Sequence, residues 1–409
     1  MPLLYSLAIH GYYLALLFMS PFSRKAGLWI SGRKGWRRNL LLKKISGTPV
    51  YWFHAASLGE FEQGRSLIEA IRKKQPGCSI VLTFYSPSGY EVRKSYQAAD
   101  LVCYLPLDTA YNARHFISII RPDAAFFIKY EFWFYYLKRM HDLGKPVYLV
   151  SGIFRNRQIF FRWYGSWFRR KLRFIRHFFL QDLPSAELLQ SIHINNVTVS
   201  GDTRFDRVYS IALTKQHIDI AADFVAGRFC IVAGSTWPED EELLIRYINQ
   251  AKAGVGLIIA PHEIHAQRIT RLASMVKRPT VLFSEAAGKS LSGYQVLIIN
   301  NIGQLSALYS YGKIAYIGGG FGAGIHNILE PAASGLPVVF GPNHHKFREA
   351  EDLVRLGGAF PISRYRDFEM IINDMAGNEE ALTISAAAAR DYVQSHTGAT
   401  EKIITQLFT

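Results

Sequence analysis

Short apolar runs alternate with helical patterns from residue 50 onward, and the same alternation begins again near residue 229. One helical pattern spans 61–74 and another spans 110–120, each between two apolar runs. This order is typical of a parallel sheet whose strands are joined by crossover helices. The sequence therefore predicts an α/β chain with two doubly wound domains. The predicted strands are 50–53, 80–84, 101–105, 124–128, 147–150 and 197–200, then 229–233, 256–260, 296–299, 314–317 and 338–340.

The chain has 409 residues, which is long for one core and agrees with two domains. A polar, helical connection around 208–226 separates the two series of strands. We predict an N-terminal segment over 1–45, a first domain over 46–207 and a second domain over 208–409. Ligands of doubly wound folds bind beyond the carboxyl ends of the strands, so we expect the site in a cleft between two facing domains.

The N-terminus resembles a membrane anchor. Residues 3–19 are apolar except for Ser6, His10 and the tyrosines, and a membrane-spanning helix needs about 20 such residues. The charges follow this run, whereas a secretory signal has them before it. By the positive-inside rule the bulk of the chain stays in the cytoplasm, with the apolar run 3–19 anchored in the membrane or lying in its interface, and 1–45 comprises this anchor and its basic flank. A buried first helix is the alternative. The basic residues are Arg24, Lys25, Arg33, Lys34, Arg37, Arg38, Lys43 and Lys44.

The net charge of +15 favours an anionic partner, which includes nucleic acid, an anionic membrane and a phosphorylated substrate. Residues 154–179 interleave arginines with aromatic residues. Such a segment suits stacking on single-stranded bases, or a lipid headgroup layer, where arginines meet phosphates. A solvated basic helix with an aromatic core face is the third interpretation. The N-terminal run favours the membrane.

Three cysteines, Cys78, Cys103 and Cys230, are widely spaced and form no Cys-x-x-Cys pair. This pattern predicts free thiols in a reducing compartment rather than disulfides or a zinc site. No cluster of histidines and acidic residues stands out in the sequence, so we expect no metal.

A glycine-rich segment follows the predicted strand 314–317, and four of the residues 318–322 are glycine. Glycines allow a ligand to approach the backbone closely. Asn327 and Glu330 have the spacing of a capping box, with Asn327 as N-cap. The free amides of that helix start would suit an anionic or polyhydroxyl ligand, although the same residues also suit a simple cap and turn.

Polar residues follow several other predicted strands. Glu60 comes just after the first strand, where a carboxylate can act as a general base or simply favour the helix dipole. Ser235 or Thr236 can cap the next helix and bind phosphate. The loops 261–263 and 302–304 lie at the same edge, so we predict a pocket there.

Two common nucleotide-binding classes are excluded. A dinucleotide site requires a Gly-x-Gly-x-x-Gly motif after the first strand of its domain and an acidic residue about 20 positions later. The segment 318–323 lacks the complete motif, follows a late strand and has no such acidic residue after it. A complete Gly-x-x-x-x-Gly-Lys-Ser/Thr phosphate loop is also absent from the sequence.

Taken together, residues 54–60, 201–206, 234–236 and 326–342 resemble the 3-deoxy-D-manno-octulosonic-acid (Kdo) transferases of lipopolysaccharide synthesis. The resemblance implies an inverting, GT-B-type glycosyltransferase with two facing Rossmann-like domains and an N-terminal membrane-anchor helix. It implies transfer of Kdo from CMP-Kdo to a hydroxyl of a lipid A precursor at the cytoplasmic face of the inner membrane. Neither a metal nor nucleic acid is implied.

The same resemblance implies roles for particular residues. Glu60 corresponds to the proton acceptor, and Glu131 and Arg204 correspond to the groups that stabilise the transition state. Arg204 would balance the charge that develops on the departing phosphate. The positions that correspond to CMP contacts are Pro261, His262, Ile302, Gly303, Gln304, Asn327, Ile328, Leu329 and Glu330.

This chain differs from the family pattern at several positions. It has Pro261-His262-Glu263 where the pattern has Pro-Arg-His, Gln304 where the pattern has glutamate, and Lys129 in place of a first glutamate. Two other functions fit the same features: a GT-B transferase that uses a UDP-sugar and a lipid acceptor, and a non-catalytic protein that binds membrane or nucleic acid.

Overall fold

The computed structural model describes residues 2–43, 45–214 and 216–408. The chain divides into two compact units, residues 1–207 with 398–409 and residues 208–397. The change between units falls between Arg207 and Val208, the position at which the sequence analysis begins the second domain. Of the predicted basic flank, Lys44 lies outside the described residues.

The first unit contains a sheet of seven parallel strands in the order β3-β2-β1-β4-β5-β6-β7. Strand β1 is central and pairs with β2 and β4. All six of its residues are buried, which explains the continuous apolar run. The strands are β1 Val50–Ala55, β2 Ser79–Phe84, β3 Leu101–Tyr104, β4 Ala124–Ile128, β5 Val147–Gly152, β6 His177–Leu180 and β7 Val197–Val199.

Helices cover both faces of this sheet, and two apolar clusters fill the space beneath them. The helices are α1 Pro2–Met19, α2 Arg24–Ser31, α3 Trp36–Leu41, α4 Leu58–Lys74, α5 Pro87–Arg93, α6 Ala110–Ile120, α7 Phe134–Asp142, α8 Ser166–Leu172, α9 Leu183–Gln190 and α10 Thr203–Thr214. Helix α10 crosses the boundary between the units.

The second unit repeats the plan with the strand order β10-β11-β9-β8-β12-β13-β14, again all parallel. Its strands are β8 Phe229–Thr236, β9 Val255–Pro261, β10 Thr280–Leu282, β11 Val296–Ile298, β12 Ile314–Ile317, β13 Val338–Phe340 and β14 Ala359–Pro361. Its helices are α11 Asp219–Val225, α12 Pro238–Gln250, α13 Ala266–Met275, α14 Leu305–Leu308, α15 Leu329–Ala333, α16 Arg348–Arg355, α17 Tyr365–Gly377 and α18 Glu379–Ser395.

All the predicted strands are present, and the α/β prediction is confirmed. Strands β6, β10 and β14 were not predicted. Strands β10 and β14 have three residues each, too few for a clear pattern. Strand β6 overlaps the end of the arginine-rich segment 154–179, and its short apolar run was not recognised among the charged residues.

The last helix, α19 Ala399–Phe408, packs on the first unit rather than on the predicted second domain. Ile403 is fully buried in the core cluster next to α4. Asp206 accepts hydrogen bonds from the backbone N–H groups of Gly398 and Thr400, at 2.6 and 2.7 Å. These contacts correct the prediction that 208–409 is one domain.

Helix α1 is long and apolar enough to cross a membrane, by length and composition. Only 6% of this segment is buried within the protein, which is not typical of a core helix. Ile9 is buried, whereas Leu3, Leu7 and Phe18 are 80%, 68% and 76% exposed. The alternative of a buried first helix is therefore wrong.

Most rings of the segment 154–179 belong to the core of the first unit, so they cannot form a platform for bases. Phe154, Phe160 and Trp167 are less than 10% exposed, and Phe178 and Phe179 are fully buried. The exposed aromatic residues of the segment are Trp163 and Tyr164. The arginines at 155, 157, 162, 170, 173 and 176 remain exposed.

Candidate active site

Glu60 lies in the first turn of α4, just beyond the carboxyl end of β1. Its Oε2 accepts a hydrogen bond from the Ala56 backbone N–H at 2.5 Å. Burial, and then the charge of Glu131, raise the pKa of Glu60 to about 7, while two amides and Lys129 oppose the rise. A carboxyl with this pKa is about half ionised at neutral pH, and its ionised form is more basic than that of an ordinary carboxyl, as suits a general base.

Glu131 lies between β4 and α7, and 12% of its side chain is exposed. Its Oε2 accepts a hydrogen bond from Trp133 Nε1 at 2.5 Å and lies 3.2 Å from Nε2 of His54. His54 is a fully buried residue of β1. Two side chains thus fix the direction of the Glu131 carboxylate, which acts electrostatically on Glu60.

Hydrogen bonds around Thr83 fix the tautomer of His54. Thr83 Oγ1 donates to the Phe53 carbonyl at 3.1 Å and accepts from Trp52 Nε1 at 2.9 Å. Because its one hydrogen is used, the 2.9 Å contact with His54 Nδ1 is a donation from the imidazole. Nε2 of a neutral His54 then presents a lone pair to Glu131. The same Nε2 accepts a hydrogen bond from Trp133 Nε1 at 3.0 Å and lies 3.2 Å from Glu131 Oε2.

Lys129 directly follows β4 and has a left-handed backbone, with a φ of 61°. This conformation costs about 1–2 kcal/mol for a residue other than glycine. Its N–H donates to the Val150 carbonyl at 2.9 Å, which ties the strained residue to the next strand. Backbone strain at Lys129, together with a charge that lowers the pKa of Glu60, is typical of a functional position.

Arg204 lies in the first turn of α10 and is oriented by Asp202. Oδ2 of Asp202 is 2.8 Å from both Nε and Nη2 of Arg204. The charges of Glu60 and Arg204 both act on Tyr130, whose pKa is raised mainly by burial. Glu60 and Arg204 therefore both lie within electrostatic range of the Tyr130 hydroxyl.

In the second unit, two glycines of the loop after β12 are needed for internal packing. A Cβ on Gly318 would lie 2.3 Å from the Ser235 carbonyl oxygen, and one on Gly320 would lie 2.6 Å from the Gly341 nitrogen. Gly319 has a φ of 89°, which favours glycine. At 318 and 320 the close neighbour is the protein's own backbone, not a ligand as the sequence analysis expected.

Asp240 of α12 holds this loop in place. Its carboxylate accepts hydrogen bonds from Gly319 N at 2.9 Å, Tyr316 OH at 2.7 Å and Trp237 N at 2.9 Å. Asp240 is 1% exposed, and burial raises its pKa. The loop is thus fixed to β12 and α12 before any ligand binds.

The predicted capping box at 327–330 is wrong in detail. Helix α15 begins at Leu329 with Ile328 as N-cap, one residue later than predicted. Asn327 Oδ1 accepts from Leu329 N at 3.1 Å, but Glu330 accepts from the Asn327 side-chain amide at 2.9 Å and from Ser306 Oγ at 2.6 Å. Glu330 therefore joins α15 to α14 instead of returning to the backbone.

Three rings stack beyond the carboxyl ends of β8, β9 and β12. The His262 ring lies 4.7 Å from Trp237 and 4.5 Å from His326, centroid to centroid, with interplanar angles of 24°. Trp237 Nε1 donates to His326 Nε2 at 3.0 Å. Burial and His262 lower the pKa of His326. A neutral imidazole and an indole make a flat surface that suits stacking with a base.

The expected helix cap at 235–236 is wrong. The N-cap of α12 is Trp237, and the fully buried Thr236 donates its hydroxyl to Glu241 Oε1 at 3.1 Å. That hydroxyl is therefore used within the protein. Arg268 donates to the same Glu241 oxygen at 2.9 Å.

The other predicted contacts differ in exposure. Pro261 ends β9 and is buried, Ile302 is 88% exposed, and Gly303 has a φ of 97°. The side chains of Ile328 and Leu329 are at most 1% exposed, so only their backbone groups can meet a ligand. Gln304 is the N-cap of α14.

Several residues at the site were not predicted, namely Thr83, Lys129, Trp133, Trp237 and His326. Trp133 lies only two positions after Glu131 in the sequence. An indole N–H so close to a predicted catalytic acid could have indicated a hydrogen bond to its carboxylate. Thr83 and His326 are brought to the site by strand pairing and stacking, which single-sequence patterns do not show.

Comparison with known proteins agrees with this geometry. Residues 32–207 match the family model of the 3-deoxy-D-manno-octulosonic-acid (Kdo) transferases. The Kdo transferase of Bordetella pertussis is 26% identical, over 98% of this chain and 98% of the relative. That of Aquifex aeolicus is also 26% identical, over 78% and 82%. The chain is thus similar to Kdo transferases, by the family model over 32–207 and by the Bordetella pertussis relative over nearly its whole length.

Solved structures show the fold of this transferase. A UDP-GlcNAc 2-epimerase from Neisseria meningitidis has a TM-score of 0.62 at 15% identity, over 88% of this chain and 99% of that one. MurG from Acinetobacter baumannii has a TM-score of 0.51 at 15% identity, over 88% and 99%. The expected GT-B-type fold is confirmed. Together with the similarity to Kdo transferases, this fold identifies the protein as a glycosyltransferase.

Among the described residues of the transferase, His344, His345 and Glu351 form one group of possible metal ligands that the sequence analysis did not identify. Glu351 Oε1 lies 3.1 Å from His344 Nε2 and 2.7 Å from His345 Nδ1. Two of the three residues are exposed. The group follows β13 rather than belonging to the residues described above.

Proposed function

We propose that this transferase moves Kdo from CMP-Kdo to a hydroxyl of a lipid A precursor, with inversion, and that Glu60 is the general base. The similarity to Kdo transferases supports the sugar and the pathway. The observation that carries the chemical role is the Glu60 carboxylate, whose pKa is raised to about 7 by burial and Glu131.

The proposed reaction is a single displacement. The acceptor oxygen loses its proton to Glu60 and attacks the anomeric carbon of Kdo from the face opposite the phosphate. The bond to the phosphate oxygen breaks, and CMP leaves with the electron pair. Glu60 ends the step protonated, and the anomeric configuration is inverted because only one displacement has occurred.

Two charged groups of the first unit are assigned to the transition state. Positive charge develops on the sugar as the donor bond breaks, and we assign its stabilisation to the Glu131 carboxylate, which Trp133 orients. Negative charge develops on the departing phosphate, and the guanidinium of Arg204, oriented by Asp202, would balance it.

The second unit is assigned to CMP. The rings of Trp237, His262 and His326 offer a stacking surface for the base. Glu330, whose carboxylate is oriented by Asn327 and Ser306, is assigned to the ribose hydroxyls. Pro261, Gly303 and Gln304 stay predictions for the same ligand, and we propose that the reaction needs no metal.

We further propose that α1 attaches the enzyme to the cytoplasmic face of the inner membrane. The helix is long and apolar enough to cross a membrane, and its outer apolar residues are exposed. The exposed arginines of 154–179 would meet anionic headgroups.

Donor preference tests this assignment against a transferase that uses UDP-sugars. CMP should inhibit Kdo transfer competitively with CMP-Kdo, whereas UDP at the same concentration should not. Inhibition by UDP but not by CMP would contradict the assignment of the donor. A His262→Ala variant should bind CMP more weakly, by about tenfold if one base-stacking contact is lost.

A further inference from the structure

One side of α1 is covered by the rest of the first unit. The buried and half-buried residues of the helix recur at intervals of three or four positions, which places them on one side. They are Tyr5, Ser6, Ile9, Tyr13 and Leu16. The other sides of the helix are apolar and exposed, as at Leu7 and Phe18. The protein therefore covers one side of a helix that is apolar all round, and the remaining sides need another apolar partner.

Polar contacts hold the N-terminal end of α1 on the first unit. Tyr5 OH donates to Asp108 Oδ2 at 2.5 Å, and Asp108, which is 1% exposed, also accepts the Tyr135 backbone N–H at 3.1 Å. The hydroxyls of Ser6 and Tyr135 are 2.5 Å apart. Nζ of the buried Lys171 lies 4.2 Å from the centre of the Tyr5 ring. A helix end that left this position would deprive a buried carboxylate of a donor, which is unfavourable.

Aromatic contacts hold the C-terminal half of α1 on the same unit. The Tyr12 ring stacks on Tyr85 at 6.3 Å between centroids and meets Trp29 edge-on at 6.0 Å. The Tyr13 ring lies 6.4 Å from Trp29. Tyr5 and Tyr13 are about 12 Å apart along a helix. The contacts thus extend along α1 and are not confined to the end that continues into α2.

Cationic residues of the first unit lie near both ends of α1. Arg24 begins α2, directly after the C-terminal end, and is exposed. At the N-terminal end the Tyr5 ring lies 5.8 Å from Trp167 of α8. Arg170 of α8 and Arg173, which follows it, are exposed. If α1 crossed a bilayer, these arginines would enter the hydrocarbon together with its N-terminal end, which is costly for a charged group. Both ends therefore belong on the same side of the membrane.

We propose that α1 does not cross the membrane but lies flat in its cytoplasmic leaflet. Its exposed apolar side, which includes Leu4, Gly11 and Phe18, contacts the acyl chains of an anionic bilayer, and the cations at both ends meet the headgroups. The proposal rests on the membrane attachment of α1 proposed above and does not depend on the transfer reaction. A flat α1 holds the first unit against the headgroups along the whole helix.

Spin labels at three cysteine variants, Leu4→Cys, Gly11→Cys and Phe18→Cys, test this orientation. The positions are about two turns apart and share the exposed side of α1. Leu4 and Phe18 are 61% and 76% exposed, and nothing lies within 4 Å of a Cβ built at Gly11. The full chain is reconstituted in vesicles of dioleoyl phosphatidylethanolamine and dioleoyl phosphatidylglycerol. Label depth is measured from collision rates with oxygen and with a water-soluble nickel complex. Lys252→Cys, exposed on the second unit, gives the aqueous reference, and the unsubstituted chain gives the background of the native thiols.

A flat helix should place all three labels at one depth, about 5–10 Å below the headgroups. A label at Gly11 about 10 Å deeper than those at Leu4 and Phe18, as two turns of a spanning helix require, would overturn the flat orientation and leave the attachment intact. A depth that increases steadily from Phe18 to Leu4 would also overturn it. Three labels in water would overturn the attachment as well. Spin–spin broadening at all three positions would assign the exposed side to a second copy of the chain and overturn the contact with lipid.

Charge variants test the N-terminal end separately. Arg170→Gln combined with Arg173→Gln should reduce transfer of the full chain from non-ionic detergent micelles to the anionic vesicles by about fivefold or more. Transfer to dioleoyl phosphatidylcholine vesicles should not change. Lys252→Gln combined with Lys289→Gln is the matched control, because it removes the same charge from exposed positions of the second unit. Equal losses in the two double variants, or no loss in either, would overturn the placement of this end at the headgroups.

Discussion

Replacing Glu60 by glutamine should lower the rate of Kdo transfer but raise the stability of the folded protein at pH 8, so the variant separates catalysis from folding. Burial and Glu131 raise the pKa of Glu60 to about 7 from an ordinary 4.5. This difference corresponds to at most about 3 kcal/mol of free energy, which is the cost of ionising the carboxyl in the folded protein. Glutamine has nearly the same shape and no charge.

The sign of the effect on stability follows from the direction of the pKa change. Below pH 4.5 Glu60 is protonated in both the folded and the unfolded chain, so its ionisation costs nothing. As the pH rises through about 7, the folded protein must ionise a carboxyl that burial disfavours, and this stability is lost. At pH 8 the Glu60→Gln protein should therefore unfold at a higher temperature than the wild type, and at pH 4.5 this gain should be absent.

Melting temperatures in detergent at pH 4.5, 6 and 8, together with Kdo transfer rates, measure both effects. Transfer should fall by about 10²–10⁴-fold, the usual contribution of a general base. Glu62→Gln is the control, since Glu62 lies on the same helix and pairs with Arg65 and Arg93 at the surface. Its effect on stability should stay within about 1 kcal/mol at every pH. A Glu60→Gln protein that is less stable than the wild type at pH 8 would refute the reasoning.

Further predictions concern the groups around this base. The wild-type kcat/KM should fall below pH 7, to about a tenth of its plateau at pH 6, if one ionised carboxylate is required. Glu131→Gln should move this acid limb to lower pH, and Lys129→Met should move it to higher pH, because their charges act on Glu60 in opposite directions. Thr83→Val removes the acceptor of His54 Nδ1 and should lower kcat by about tenfold with little change in the KM for CMP-Kdo, a split that identifies a positioning role. Prolonged dialysis against EDTA should leave the transfer rate unchanged, and a loss restored by a divalent ion would contradict the metal-free reaction.

Much of the fold could be predicted because buried parallel strands are continuous apolar runs. Strand β4, Ala-Ala-Phe-Phe-Ile, has no polar residue to interrupt it, and its predicted limits agree with the structure. Strand β6 was not predicted because arginines at 169, 170, 173 and 176 precede it, so the sequence around it is more charged than a buried strand usually is. Helix α19 was assigned to the wrong domain because a helix of ten residues carries no signal for which sheet it packs on.

At the site, sequence reasoning identified charged residues but not the contacts that tune them. Glu60 and Glu131 were predicted individually. The contact of His54 with Thr83 depends on the pairing of β1 with β2, and its contact with Trp133 depends on the pairing of β1 with β4. The glycines at 318 and 320 illustrate the converse error. Their pattern suggested a ligand, although the atoms that exclude a Cβ belong to the protein's own loops.

The most direct test of the central claim is the mass of a lipid A precursor after incubation with CMP-Kdo and the enzyme. The wild type should add the mass of Kdo to the precursor and release CMP in equal amount, and Glu60→Gln should add almost none under the same conditions. Full transfer by Glu60→Gln would contradict the general base. A wild-type protein that binds the membrane but leaves the precursor unchanged would contradict the proposed transfer itself.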